Sequence, residues 1–204
     1  MHNKMLTFFF ILNCNAFLAT SAYDTSGIYR NKTDFISDIL QFKTTHKIRI
    51  SSRPFWTNFS INEEAVPIKV RLSDGHQEVL NPGTFYGFKT EGVKFIYINY
   101  LNEYIAVLSD TPPLYLFVRK KVHFSNIVAF SDETFYFSTT LNDSLKEFNI
   151  ENIKISFGND TITTQILMEL LKKIQEEGFD AEMHRKQFFR CKELIKEYLS
   201  KLKS

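Results

Sequence analysis

Cysteine is almost absent. The chain of 204 residues holds two, Cys14 and Cys191. Cys14 falls in a segment that reads as a removable leader, so the processed chain keeps one thiol and has no intramolecular disulfide. An exported protein without disulfides is held together by its core, and about 180 residues suffice to build one. An excess of one charge is also missing. Lys and Arg number 25 against 23 Asp and Glu. Loss of residues 1–22 removes Lys4 and no acid, leaving 24 against 23. No strong field steers nucleic acid or an anionic membrane, and neither is an expected partner. A membrane-spanning run is missing as well. The apolar stretch Met5 to Leu12 is well short of the roughly 20 residues that a crossing helix needs. Catalytic motifs are lacking too: there is no His-Glu-x-x-His, no Cys pair, no Gly-x-Ser-x-Gly elbow and no glycine-rich phosphate loop.

What is present begins with the leader. Lys4 gives one fixed charge, Met5 to Leu12 the apolar segment, and Thr20 and Ala22 small residues at −3 and −1 of a cleavage. This is the layout of a secretory signal peptide, with the mature chain starting near Tyr23. Export to the periplasm or beyond is the expected localisation. Cys14 follows Asn13 rather than a small residue, so simple export is favoured over lipid attachment at Cys14.

Phe is frequent, at 21 residues, beside nine Tyr; aromatic residues favour strands and large buried contacts. The stretch from Val66 to Val118 sets the architecture. Val66, Ile68, Val70 and Leu72 alternate with Pro67, Lys69 and Arg71, the period of a strand with one wet face. Asp74-Gly75 predicts a hairpin turn of the type that needs φ > 0 at both central residues. Asn81-Pro82-Gly83 and Glu91-Gly92 predict further turns. Phe85–Lys89 reads as a strand in which Gly87 marks a bulge or a close backbone approach. Val93–Ile98, Tyr104–Leu108 and Leu114–Val118 read as strands, the last ended by Arg119-Lys120-Lys121. Two weaker strands follow, near Val122–Phe130 and Phe135–Ser138, then an amphipathic piece at Leu145–Phe148. Before the meander, Asn31 or Thr33 caps a short helix with Phe35, Ile36, Ile39 and Leu40 on its apolar side, and His46–Ile50 reads as a strand.

After Gly158 the period changes to about 3.6. Asn159 or Asp160 is the N-cap; Ile162, Ile166, Leu167, Leu170, Leu171 and Ile174 form one stripe; Gly178 is the stop. Asp180 caps a second helix with Phe188, Cys191, Ile195, Tyr198 and Leu202 on its seam. The short joint makes the pair antiparallel. The expected fold is α+β: residues 1–22 leader, 23–157 a meandering antiparallel sheet or partial barrel, 158–204 a helix pair packed on it.

Several of these pieces resemble a group of exported proteins of Bacteroidetes-type bacteria. They are Gly27-Ile28-Tyr29, a Thr33-Asp34-Phe35-Ile36 piece, the Ile48-Arg49-Ile50 strand, Phe85-Tyr86-Gly87-Phe88, Tyr104–Leu108 and Phe135-Tyr136-Phe137-Ser138. The resemblance covers roughly Ser26 to Gly178. It implies export and a β-rich domain, and it carries over no activity and no site residues.

Candidate chemistry is sparse. His46, His76, His123 and His184 share no i, i+3 or i, i+4 spacing, so no metal site is expected. Cys191 lies on a packing stripe and reads as a small apolar core residue. Asp110, Asp132 and Glu133 sit at loop or strand ends, where glycosidase carboxylates act. Asn31, Asn58, Asn142 and Asn159 head Asn-x-Ser/Thr triplets, which mark glycans in a eukaryotic secretory route. Arg119-Lys120-Lys121 reads as a solvated strand end that discourages aggregation. Phe189, Leu194 and Leu199 widen the apolar stripe of the last helix; the fold, a second copy or another envelope protein must cover it. No catalytic, cofactor or metal residue is assigned. The favoured function is a non-enzymatic binding or structural role in the envelope or outside it. The alternatives are a hydrolase of cell-wall or glycan material and a β-cup for an apolar ligand.

Overall fold

A computed structural model describes residues 25–44, 48–50, 62–64, 67–71, 74–124, 129–141, 144–179 and 185–203. The leader with Cys14, and His46, Trp56, Asn58, Asn142, Asp180 and His184, lie outside them. In chain order the elements are β1 (Ser26–Tyr29), α1 (Lys32–Ile36), β2 (Gln41–Thr44), β3 (Arg49–Ile50), β4 (Asn62–Glu64), β5 (Ile68–Arg71) and β6 (Gln77–Leu80). They continue as β7 (Gly87–Thr90), β8 (Val93–Ile98), β9 (Glu103–Ser109), β10 (Tyr115–Phe124), β11 (Ala129–Ser138), β12 (Lys146–Glu147), α2 (Ile150–Phe157), α3 (Thr161–Glu176) and α4 (Arg185–Ser200).

The fold is α+β with an antiparallel sheet and C-terminal helices. Strands β7 to β12 pair in chain order, β1 adds to β7 and β2 to β1; with β4 beside β9 the sheet has nine strands. β3, β5 and β6 make a separate three-stranded sheet. Among the described residues nothing pairs β12 with β2.

The central strands have no wet face. Tyr104, Ala106, Leu108, Leu116, Val118, Phe135 and Phe137 enter one core. Ile105, Val107, Tyr115 and Phe117 enter a second. Successive side chains of a strand point to opposite faces, and a sheet covered on both faces reads as an unbroken apolar run. The first core is lidded by Leu167, Leu170, Leu171 and Ile174 of α3 and by Phe188, Cys191 and Ile195 of α4. Each such side chain, fully buried, contributes about 1.5–3 kcal/mol. The second core is closed by Phe35 of α1 with Tyr29 and Leu40.

The close approach expected at Gly87 is present. It pairs with Ile96, and a Cβ there would lie 2.1 Å from the Phe95 carbonyl oxygen. The two-residue turn with φ > 0 at both positions is also present, but at Glu91 (φ 50) and Gly92 (φ 78), which join the pair Thr90↔Val93. At Asp74-Gly75 the hairpin forms with a different loop. Arg71 pairs with Gln77, leaving residues 72–76 between them; among the described loop residues 74–76 only Gly75 has positive φ, and Asp74 Oδ1 accepts from the His76 amide at 2.9 Å.

Three further expectations are corrected. The basic run does not end β10. The strand continues to Phe124 in a backbone ladder with β11 that runs from Tyr115↔Ser138 to Phe124↔Ala129. Helix α1 stops at Ile36, short of Ile39 and Leu40, and Phe35 is its buried residue; Leu40 beyond it is also buried, while Ile36 and Ile39 are about half exposed, at 54% and 50%. In α3, Ile162 leaves the predicted stripe and is 72% exposed, while Leu167, Leu170, Leu171 and Ile174 enter the core. The ends of α3 follow the expected chemistry. Asp160 accepts from the Thr163 amide at 3.0 Å. Beyond Glu177, Gly178 (φ 67) lets the Phe179 amide bond back to the Ile174 carbonyl, a Schellman closure that buries Phe179.

Candidate functional site

Charged side chains from distant parts of the chain meet at one end of the sheet, where β7 ends, β8 begins and β9 ends. Lys94 is the centre. It is the lone charge in the strand Val93-Lys94-Phe95-Ile96-Tyr97-Ile98, and its side chain is 11% exposed. A buried ammonium must be paired and hydrogen-bonded. Lys94 Nζ reaches Asp110 Oδ2 at 2.7 Å and Asp38 Oδ1 at 3.1 Å, and it lies 5.1 Å from the centre of the Phe35 ring. Lys89 Nζ meets the other Asp38 oxygen at 3.0 Å. The Tyr29 hydroxyl donates to Asp38 Oδ1. Asp38 is held in place by a backbone at φ 51, just past α1.

The pKa shifts follow from these contacts. Burial alone would raise the Asp38 carboxyl, but the hydrogen bonds from Tyr29, Lys89 and Lys94 outweigh it and bring it down to about 2. Burial, then the Asp38 carboxylate, push the Tyr29 phenol far above its ordinary range, so it stays a donor. Lys192 of α4 feels the charges of the same groups. Burial pulls its ammonium down; Asp110 opposes this, while Lys94 and Lys89 add to it. The arrangement holds opposite charges together at one end of the sheet. It positions no nucleophile beside a base.

A second feature is an open groove of about 770 Å³ between β11, the β12 strand and helices α2 and α3. Phe135, Phe148, Leu171 and Ile174 form apolar lining, and Glu133, Glu147 and Glu151 supply carboxylates. Glu133 is 5% exposed.

The carboxylates singled out in the sequence do not form a pair. Asp110 is bound to Lys94. Glu133 stands opposite Lys120, and Ser109, next to Asp110, opposite Leu116. That separates the two backbones by roughly 15 Å along the strands, with a further strand between them. Asp132 stands opposite Lys121. Arg119 is not a free cation either: its Nε and Nη2 both donate to Glu103 at 2.7 Å. His76 is exposed, near Glu78. Among the described residues no group of His, Cys, Asp and Glu could hold a metal ion. Cys191 is fully buried and burial pushes its thiol up, as its core position requires. Leu199 is buried, and Phe189 and Leu194 pack against the same core, so the wide stripe of α4 is largely covered by the fold itself. The lysine–aspartate cluster is absent from the sequence reading; the signal that marks it is the single Lys94 in an otherwise apolar strand.

No family model, no curated protein and no solved structure matches the chain. Among the described residues no helix is long and apolar enough to cross a membrane.

Proposed function

We propose that the protein is exported and serves a non-catalytic binding or structural role in the cell envelope or outside it. The leader layout of residues 1–22 supports export. The non-catalytic half rests on how the convergent charges are used: Asp38, Asp110, Lys89 and Lys94 neutralise one another where α1 and three strands meet. A glycan hydrolase needs two carboxyl groups roughly 5–10 Å apart in one cleft, and Asp110 and Glu133 belong to separate sites. The aromatic faces that would line an apolar cup, Phe88, Phe95, Phe135 and Phe137, lie in the core with the helices.

The test has two parts. Intact mass of the protein from culture fractions gives a start at Tyr23 if the leader is cleaved; recovery of full-length chain from the cytoplasm overturns export. Purified mature protein is then incubated with peptidoglycan and oligosaccharides. Co-sedimentation with isolated envelope, with no new reducing ends, is the expected result. Turnover that disappears in Glu133→Gln overturns the non-catalytic reading in favour of the hydrolase.

A further inference from the structure

We propose that the groove between β11, β12 and helices α2 and α3 binds an oligoamine, a flexible methylene chain carrying two or three ammonium groups. The groove has a volume of about 770 Å³, within the roughly 300–1,000 Å³ of small-molecule sites. Of the described residues that line it, three are carboxylates, Glu133 from β11, Glu147 from β12 and Glu151 from α2, and none is Lys, Arg or His. Glu133 is set into the wall, whereas Glu147 and Glu151 are exposed. The carboxylates of Glu147 and Glu151 make no hydrogen bond or ion pair among the described residues. The neighbouring base, Lys146, gives its ammonium to Ser156 Oγ at 2.9 Å. Apolar surface shares the groove. Ile150 is 49% exposed, and the small exposed parts of Phe148 and Leu171 line it too.

The backbone that carries these acids is tied down. The Phe148 amide donates to the Phe135 carbonyl at 2.8 Å, and the Asn149 side chain caps α2 by accepting from the Asn152 amide at 2.9 Å. The carboxylates are therefore in place before a ligand arrives, which lowers the cost of binding. Like charges in one groove repel, and a cation relieves the repulsion. The positive end of α2 offsets part of the charge of Glu151, and Lys120 stands opposite Glu133 in the ladder; Glu147 has neither. A metal ion does not suit the place, since no cluster of ligands among the described residues could hold one. The acids come from three separate elements, so the positive charge has to be spread along the ligand. A methylene chain spreads it and lays apolar carbon on Ile150. This gives the binding reading a ligand class and rests on that reading. Its failure is separable, because the amine test leaves export and envelope binding to their own experiment.

The experiment is equilibrium dialysis of labelled spermidine against the mature protein, in sodium chloride and in magnesium chloride of equal ionic strength. One saturable site per chain is expected, with the same affinity in both salts. Glu147→Gln and Glu151→Gln each weaken binding about threefold, and the double variant about tenfold. Glu193→Gln removes the same charge from an exposed position on α4, outside the groove, and binds as wild type does. All four substitutions are at exposed positions, and far-UV circular dichroism confirms that the proteins fold. Absence of saturable binding overturns the site. So does loss of binding in magnesium, which marks simple counterion attraction, or an equal weakening in Glu193→Gln. Displacement by trilysine at a lower concentration than by unlabelled spermidine overturns the oligoamine as occupant and gives the groove to a basic polypeptide segment.

Discussion

Replacing Gly87 with alanine tests a close backbone approach between β7 and β8. The added Cβ would lie 2.1 Å from the Phe95 carbonyl oxygen and 3.2 Å from Ile96 Cα. Both are main-chain atoms, so no side chain can swing away. Relief requires β7 and β8 to part by about 1 Å, the distance needed to bring the contact back to van der Waals range. Parting weakens the ladder at Gly87↔Ile96 and Phe88↔Phe95, at about 1 kcal/mol per hydrogen bond. It also disturbs the stacked rings of Phe88 and Phe95, 4.8 Å apart, an arrangement worth about 0.5–1.5 kcal/mol. The unfolded chain loses entropy on the change, which returns about 0.4–1 kcal/mol. The net loss is about 2 kcal/mol, or a melting temperature lower by about 4–8 °C for a chain of this size. Far-UV circular dichroism during heating, with urea unfolding beside it, measures both. Gly75→Ala is the comparison: nothing lies within 4 Å of its Cβ, and only its φ of 88 is strained, so about 1 kcal/mol is expected. A Gly87→Ala protein that melts within 2 °C of wild type, roughly the experimental spread, refutes the register of β7 on β8.

Other expectations follow from the same contacts. Phe188→Ala empties a fully buried ring site beneath α4 and should cost about 3–5 kcal/mol in urea unfolding, whereas Ile162→Ala, largely exposed, should stay within about 0.5 kcal/mol. Asp38 has a lowered folded pKa of about 2, so its contribution is complete above its unfolded value near 4 and is lost as pH falls toward 2. Because Asp38 is 46% exposed, the contribution is about 1 kcal/mol after solvent screening; Asp38→Asn should flatten the stability profile in that window, measured by urea midpoints at stepped pH. Cys191 is buried and its thiol pushed up, so a disulfide reagent should leave the folded mature chain untouched and react fully in denaturant.

The parts of the fold readable in the sequence are those whose signal is local. Val93–Ile98 is a dense β-former bounded by turns, and it is a strand with those bounds. Asp160 and Gly178 announce the ends of α3 through capping chemistry. Local rules failed where a distant partner decides. Helix α2 escaped notice because Ile150, Ile153, Ile155 and Phe157 mix periods of two and three; only Ile153 is buried, and Ile155 stays 69% exposed. The basic run Arg119-Lys120-Lys121 looks like a strand end until it is known that β11 pairs on through these positions. Asp74-Gly75 and Glu91-Gly92 are both turn dipeptides, and strand register rather than composition chose which became the tight one. The lysine cluster gathers residues 38, 89, 94, 110 and 192, which no spacing rule connects. What could be read in advance was that Lys94 needs a partner.

The account turns on the helices being part of the sheet's own core. Native-state hydrogen exchange of the mature protein, read by mass spectrometry along the denaturant series, tests this directly. Amides of α4 from Phe188 to Leu199 and of β9 from Tyr104 to Leu108 should open in one cooperative step with the same free energy. Exchange of α3 and α4 at a free energy several kcal/mol below that of β9 would contradict it, for the helices would then be an appendage and the aromatic face beneath them would be sealed by something else.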